Sequence, residues 1–193
     1  MIAKPIAFNL LILIYKHIIL DNTKTLNKNT EKQIIKDKTY KKLGFTYLDT
    51  ADIVVRLKKV LANYQVHYHK LRKYHWNVEG PDFFELHEEF EKDYNDVMKK
   101  TDEIAERIRV FGLKPMMNMK DSMELSNIKE TKKELSGISM VREILSDYEI
   151  IHDDLLAALK VSLDTGDSAT ELMLNRFIAD LEKRNWMYTS WCK

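Results

Sequence analysis

Residues 75–107 read HWNVEGPDFFELHEEFEKDYNDVMKKTDEIAER: a Gly80-Pro81 break, then a long run with helical periodicity. The stretch holds five side chains of metal-ligating type, His75, His87, Glu91, Asp102 and Glu106. Two are imidazoles and three are carboxylates, the mixed nitrogen and oxygen set that suits iron. Their spacing matters more than their identity. His87 and Glu91 are four residues apart, and so are Asp102 and Glu106; on a helix each pair shares one face, one turn apart. Glu91 and Asp102 are eleven apart, roughly 16 Å along a helix rising about 1.5 Å per residue. One straight helix cannot bring both pairs to one ion. If all five serve one site, two chains meet there, and the pattern predicts a site shared across a two-fold interface.

Working outward, the glycines Gly44, Gly80, Gly112, Gly137 and Gly166 punctuate the chain without entering a strongly periodic segment. Before the quoted stretch, Ile53, Leu57, Val60, Leu61, Tyr64 and Leu71 form an apolar stripe, predicting a helix from about Asp49 to Trp76 capped by Asp49 or Thr50. A second helix is expected from about Asp82 to Phe111, opened by Asp82 with Glu85 and closed by Gly112 and Pro115. A third runs from about Ser139 to Leu163. A fourth starts at Ser168, where Ser168-Ala-Thr-Glu171 reads as a capping box. The connection from Lys114 to Gly137 is too long for a tight turn, and Asp121 to Ile128 is expected to form a short helix within it. No strand pattern competes. Four long amphipathic helices with one long central crossover predict an all-α four-helix bundle.

With 193 residues, 32% charged and 45% hydrophobic, the chain has a globular composition and is long enough for one substantial core. The single cysteine, Cys192, excludes an intramolecular disulfide and cysteine-rich zinc or iron–sulfur sites, and it fits a reducing compartment. Charge is uneven: residues 1–43 carry nine lysines and three acids, a net +6, which leaves −5 for the remainder against +1 overall. A basic extension, 1–43, expected to be flexible, therefore precedes a mildly acidic domain, 44–193. The run Ile6–Leu20 is apolar but broken by Asn9, Lys16 and His17, so no membrane span is expected.

Other chemistry is thinner. Glu149-Ile-Ile-His152 is one Glu-x-x-His; a site inside a bundle needs two, and no second is found. His67 and His69 lie two apart, point to different helix faces and read as surface residues. Trp186, Tyr188 and Trp191 read as packing residues. His87-Glu-Glu-Phe-Glu91 lacks the second histidine of a zinc protease, and there is no phosphate-binding glycine loop. Taken singly, His75 also reads as a core histidine, and Asp102 with Glu106 as a solvated carboxylate pair.

As a set, the pattern resembles the Dps family, the DNA-protecting miniferritins of starved bacteria. The resemblance is carried by His75-Trp76-Asn77-Val78-x-Gly80, Phe84, Leu86-His87 and Asp102-Glu103-Ile104-Ala105-Glu106-Arg107, with Thr170 and Trp186-Met187 near the end. It covers about residues 44–193. It implies a ferritin-like four-helix subunit with a short crossover helix, assembled into a hollow dodecamer with iron sites at its two-fold interfaces. His75, His87 and Glu91 would come from one subunit, and Asp102 and Glu106 from its partner. The implied activity is a ferroxidase: Fe(II) is oxidised to Fe(III) by hydrogen peroxide or oxygen and stored, in the cytoplasm or at the nucleoid. Two alternatives stand beside it. One is a shell that mainly compacts DNA nonspecifically through the basic extension, and the other is an oxidase with a di-iron site inside each bundle. The resemblance also implies acid-lined pores on three-fold axes, for which Asp164, Asp167 and Glu171 are the candidates and Asp167 the best match; the plainer reading of all three is helix capping. Trp76, beside His75, reads either as a quencher of stray oxidant or as a buried interface aromatic. The family commonly has aspartate where this chain has Glu91, and the longer arm bears on how the metal is held.

Overall fold

The computed structural model describes residues 47–116 and 118–193; the basic extension 1–43 and the apolar run within it lie outside these. Five helices follow in order: α1 (Tyr47–Asn77), α2 (Phe83–Val110), the short α3 (Met119–Leu125), α4 (Gly137–Thr165) and α5 (Ser168–Trp191). The four long ones form an all-α four-helix bundle, and α3 sits in the crossover between α2 and α4. No strand occurs among the described residues. None of the described helices is long and apolar enough to cross a membrane.

The stripe predicted on α1 faces the core: Ile53, Leu57, Val60, Leu61, Tyr64 and Leu71 are all buried. Phe90, Ile104 and Ile108 from α2, Ile144, Ile151 and Leu155 from α4, and Leu174 and Phe177 from α5 complete the interior. Helix ends differ in detail from expectation. α1 is already helical at Tyr47, so positions 49 and 50 lie inside it rather than at its N-cap. Asp82 stands at the N-cap of α2 but makes no side-chain cap bond. The short helix starts earlier than Asp121 because Asn118 caps it, its side chain accepting from the Asp121 amide at 3.0 Å. α5 is capped by Asp167 rather than Ser168, and a residue of α2 described below holds Asp167 in place.

Two glycines have work that no other residue could do without strain or displacement. Gly166 closes α4 in the left-handed region, at φ 69°. Gly137 opens α4 so close to α2 that a Cβ there would stand 2.7 Å from Leu86 Cδ1.

The crossover is anchored to α1. Asn63, fully buried, accepts through Oδ1 from Ser126 Oγ and from the Asn127 amide, each at 2.9 Å. Its Nδ2 donates to Asp154 on α4 at 2.6 Å. One amide on α1 thus satisfies groups on two other segments, which fixes the loop against the bundle.

The bundle interior also holds charge. His67 is completely buried, with Nδ1 2.9 Å from Asp147 Oδ2, and Lys70 Nζ reaches Asp147 Oδ1 at 2.7 Å. The surface reading of His67 is therefore wrong. Position 67 continues the buried stripe through 60 and 64, while His69 falls on the exposed face. A second knot centres on buried Asp93, which accepts from Tyr148 at 3.3 Å and Tyr188 at 2.5 Å and pairs with Arg184 at 2.6 Å. It ties α2, α4 and α5 together. Burial and the Asp93 charge push both tyrosines well above their ordinary pKa, so they remain donors.

Candidate metal centre

His75 lies in the last turn of α1 and His87 in the second turn of α2, and the turn between the helices brings the two rings face to face. Gly80, at φ 106°, provides that reversal, with the Phe83 amide bonding to its carbonyl at 3.2 Å. The imidazole centroids are 3.8 Å apart with planes inclined by 23°. Each ring is held by the other's backbone: His75 Nδ1 lies 2.8 Å from the His87 carbonyl, and His87 Nδ1 lies 2.8 Å from the His75 carbonyl. A carbonyl only accepts, so both Nδ1 atoms carry hydrogen, and in the neutral rings the lone pairs sit on Nε2. A backbone acceptor that fixes the tautomer and leaves Nε2 available is how metal-binding histidines are prepared.

Aromatic rings surround the pair. Phe83 stacks on His87 at 5.1 Å, and Tyr94 stands edge-on to His75 at 5.4 Å. Glu91 lies one turn beyond His87 on the same face of α2 and is exposed, with Oε1 accepting from the Tyr94 hydroxyl at 3.2 Å. Burial, then the Glu91 charge, raises the Tyr94 pKa, which keeps that phenol a donor. Asp102 and Glu106 are exposed further along α2 and are not brought to the imidazoles. Among the described residues no three His, Cys, Asp or Glu of one chain are grouped to hold a metal. Of the predicted set, His75 and His87 are brought together; Glu91 stands one turn beyond His87, and Asp102 and Glu106 lie further along the same helix.

The remaining candidates sort by burial. Trp76 is 63% exposed in the single chain, with the Arg72 guanidinium 4.6 Å from its ring. Asp167 is only 1% exposed: Oδ1 accepts from the Thr170 amide at 3.2 Å and from Arg107 Nη2 at 2.5 Å, so it is engaged inside the subunit. Asp164 is exposed and Glu171 half-buried. Glu149 is exposed, and His152 Nε2 lies 3.2 Å from Glu182 Oε1 near the surface rather than inside the bundle. Of the supposed packing aromatics, Tyr188 is buried, Trp191 half-buried, and Trp186 is 66% exposed. Sequence reasoning missed Tyr94, although its place three residues after Glu91 and seven after His87 puts it on the same helix face.

The comparisons with known proteins place this chain among ferritin-like proteins. A family model described as a ferritin-like domain matches residues 55–193. General stress protein 20U of Bacillus subtilis is 36% identical over 135 residues, spanning 70% of this chain and 93% of that protein. DNA protection during starvation protein 2 of Bacillus anthracis is 37% identical over 135 residues, spanning 70% of this chain and 92% of its own length. Among solved structures, the DPS protein of Vibrio cholerae O1, a member of a broad superfamily of ferritin-like diiron-carboxylate proteins, superposes with a TM-score of 0.76 at 34% identity. That match covers 78% of this chain and 95% of the other.

Proposed function

This chain belongs to the Dps family of ferritin-like proteins, and from that premise we propose that it oxidises Fe(II), with hydrogen peroxide as the preferred oxidant, and stores the ferric product inside a closed shell of twelve copies. The observation that carries the reading is the stacked His75–His87 pair, with both Nδ1 atoms committed to backbone carbonyls and both Nε2 atoms left to bind.

The second half of the site comes from a neighbour. Phe84, His87, Glu91, Met98, Asp102 and Glu106 recur at intervals of three, four or seven along α2, so they share one face. Phe84 is 84% exposed and Met98 50% exposed in the single chain, Phe84 one turn before His87 and Met98 between Glu91 and Asp102. Large apolar side chains exposed on the face that carries the carboxylates suit a surface that another chain covers. A two-fold axis crossing α2 between residues 96 and 97 would pair position 91 with position 102 and position 87 with position 106 at once. One isologous contact therefore completes two sites.

Fe(II) is the substrate at each. Imidazole nitrogens bind it, and the hard carboxylates favour Fe(III), so the ligand set assists the loss of one electron per ion. Two Fe(II) ions supply the two electrons that reduce one peroxide to two hydroxide ions, and no hydroxyl radical is released. The intra-bundle alternative loses ground because Glu149 and His152 lie near the surface while the interior is filled by the Asp147 and Asp93 networks. The folded domain has no excess of positive charge to hold DNA; that charge belongs to residues 1–43.

The test is anaerobic Fe(II) oxidation started with peroxide. His75→Ala/His87→Ala in an intact assembly should lower the initial rate by about 100-fold or more, and Glu149→Ala/His152→Ala should leave it unchanged. Equal rates in the wild type and the His75/His87 variant would reject this site.

A further inference from the structure

We propose that Tyr94 is a positioning residue for Glu91, holding the longer glutamate arm at the imidazole pair through its hydroxyl. The inference rests on the metal-site reading given above and adds a residue to it.

Three contacts meet on this one side chain. The hydroxyl donates to Glu91 Oε1 at 3.2 Å. The ring stands edge-on to His75, with centroids 5.4 Å apart. Its other edge contact, with Tyr68, has centroids 6.0 Å apart. Tyr94 therefore touches an imidazole ligand with its ring and a carboxylate ligand with its hydroxyl, and packing fixes the ring. Glu91 has no other hydrogen bond among those described, and its side chain is exposed. An exposed glutamate samples many rotamers, and fixing them costs free energy when a cation binds. A donor already in place reduces that cost and selects the arm's direction.

The chemistry explains why a phenol serves. It donates one hydrogen bond to one carboxylate oxygen, leaves the second oxygen free for a cation, and brings no positive charge to compete with that cation. A lysine or arginine in its place would neutralise the ligand. At 3.2 Å the hydrogen bond is longer than the usual range of about 2.5–3.0 Å, so it has room to shorten in the loaded site, as such contacts commonly do. An aspartate at position 91 would be one methylene shorter and withdraw its oxygens from the hydroxyl. The glutamate and the tyrosine are therefore a matched pair.

The experiment measures binding, not turnover. Co(II), which does not oxidise under these conditions, is titrated into the assembled full-length protein by calorimetry and by its visible ligand-field absorption. Tyr94→Phe keeps the ring and its packing and should weaken Co(II) binding by about 10-fold, within the range known for groups that orient metal ligands. Placed in a Glu91→Asp background, the same change should have less than about a twofold further effect. If Tyr94→Phe binds Co(II) as tightly as wild type while His75→Ala/His87→Ala has lost it, the site stands and the role of Tyr94 is refuted. An equal loss from Tyr94→Phe in the wild-type and Glu91→Asp backgrounds would also refute it, since the hydroxyl would then act on something other than the long arm. If the His75/His87 variant keeps wild-type binding, the site itself is misplaced and the inference goes with it.

Discussion

Asp154 shows how one side chain carries both an anchor and a cost. It accepts from Asn63 Nδ2 at 2.6 Å, beneath the crossover. Burial raises its pKa above the ordinary aspartate value, against the opposing pull of Lys59 and of the Asn63 bond. The folded state therefore holds more protons than the unfolded one in the window between the ordinary and the raised value. Stability falls as pH rises through that window, and the full cost applies above it. Asp154→Asn removes the charge and keeps an oxygen for Asn63. Its Tm should exceed that of wild type at pH 7, and the difference should vanish below the ordinary aspartate pKa. A lower Tm at pH 7 would mean that the attraction of Lys59 outweighs burial. At this scale the sequence was uneven to read. His75 and His87 were recognisable from their motif, but their mutual backbone bonds were not, because the partner carbonyls become neighbours only after the turn at Gly80. The burial of His67 does not follow from its spacing to His69, because the stripe at 60 and 64 continues through it. It sits on that stripe because Asp147, eighty residues away, satisfies its Nδ1.

The helices themselves were legible, since glycine breaks and 3.6-residue periodicity are local. All six residues of the first predicted stripe are buried. The caps were less so. The motif at Ser168–Glu171 is a regular capping box, yet the chain uses Asp167, one residue earlier. Its partner is Arg107 on α2, whose Nη2 pairs with Asp167 while its Nε donates to Thr170 Oγ1 at 2.8 Å. Asp167 is itself a cap by local rules, as its capping reading has it; the arginine sixty residues away, which holds it in place, is the part no local rule contains. The consequence is measurable at the level of the element. Asp167→Ala removes the cap of α5 and leaves Arg107 without its carboxylate, and should cost about 2–5 kcal/mol in denaturant unfolding. Asp167→Asn, which can still cap, should cost less. A solvent-facing pore carboxylate without structural contacts would cost under about 0.5 kcal/mol, so a loss that small would return Asp167 to the pore. Asp164 and Glu171, not committed in this way, are the better candidates for guiding cations.

At the scale of the whole molecule, the proposed function requires a single chain to hold half a site at each end of one helix face. Sequence arithmetic already implied this, because Glu91 and Asp102 are too far apart along α2 to share an ion. The structure adds the exposed Phe84 and Met98 on that face and the organised imidazole pair at one end. Complementation measures the pairing of chains. His75→Ala/His87→Ala subunits keep Asp102 and Glu106; Asp102→Ala/Glu106→Ala subunits keep the imidazoles. Each variant alone should assemble and oxidise Fe(II) poorly. In shells co-assembled from equal amounts, half of the two-fold pairs are mixed. Each mixed pair has one site with every ligand and one with none of the four. About a quarter of wild-type activity should therefore return. If each site lay within one chain, no mixture would restore anything, because every chain would still lack two of its ligands. Recovery near a quarter would thus establish that each site is shared between two chains, and its absence in shells shown to be mixed would exclude that sharing.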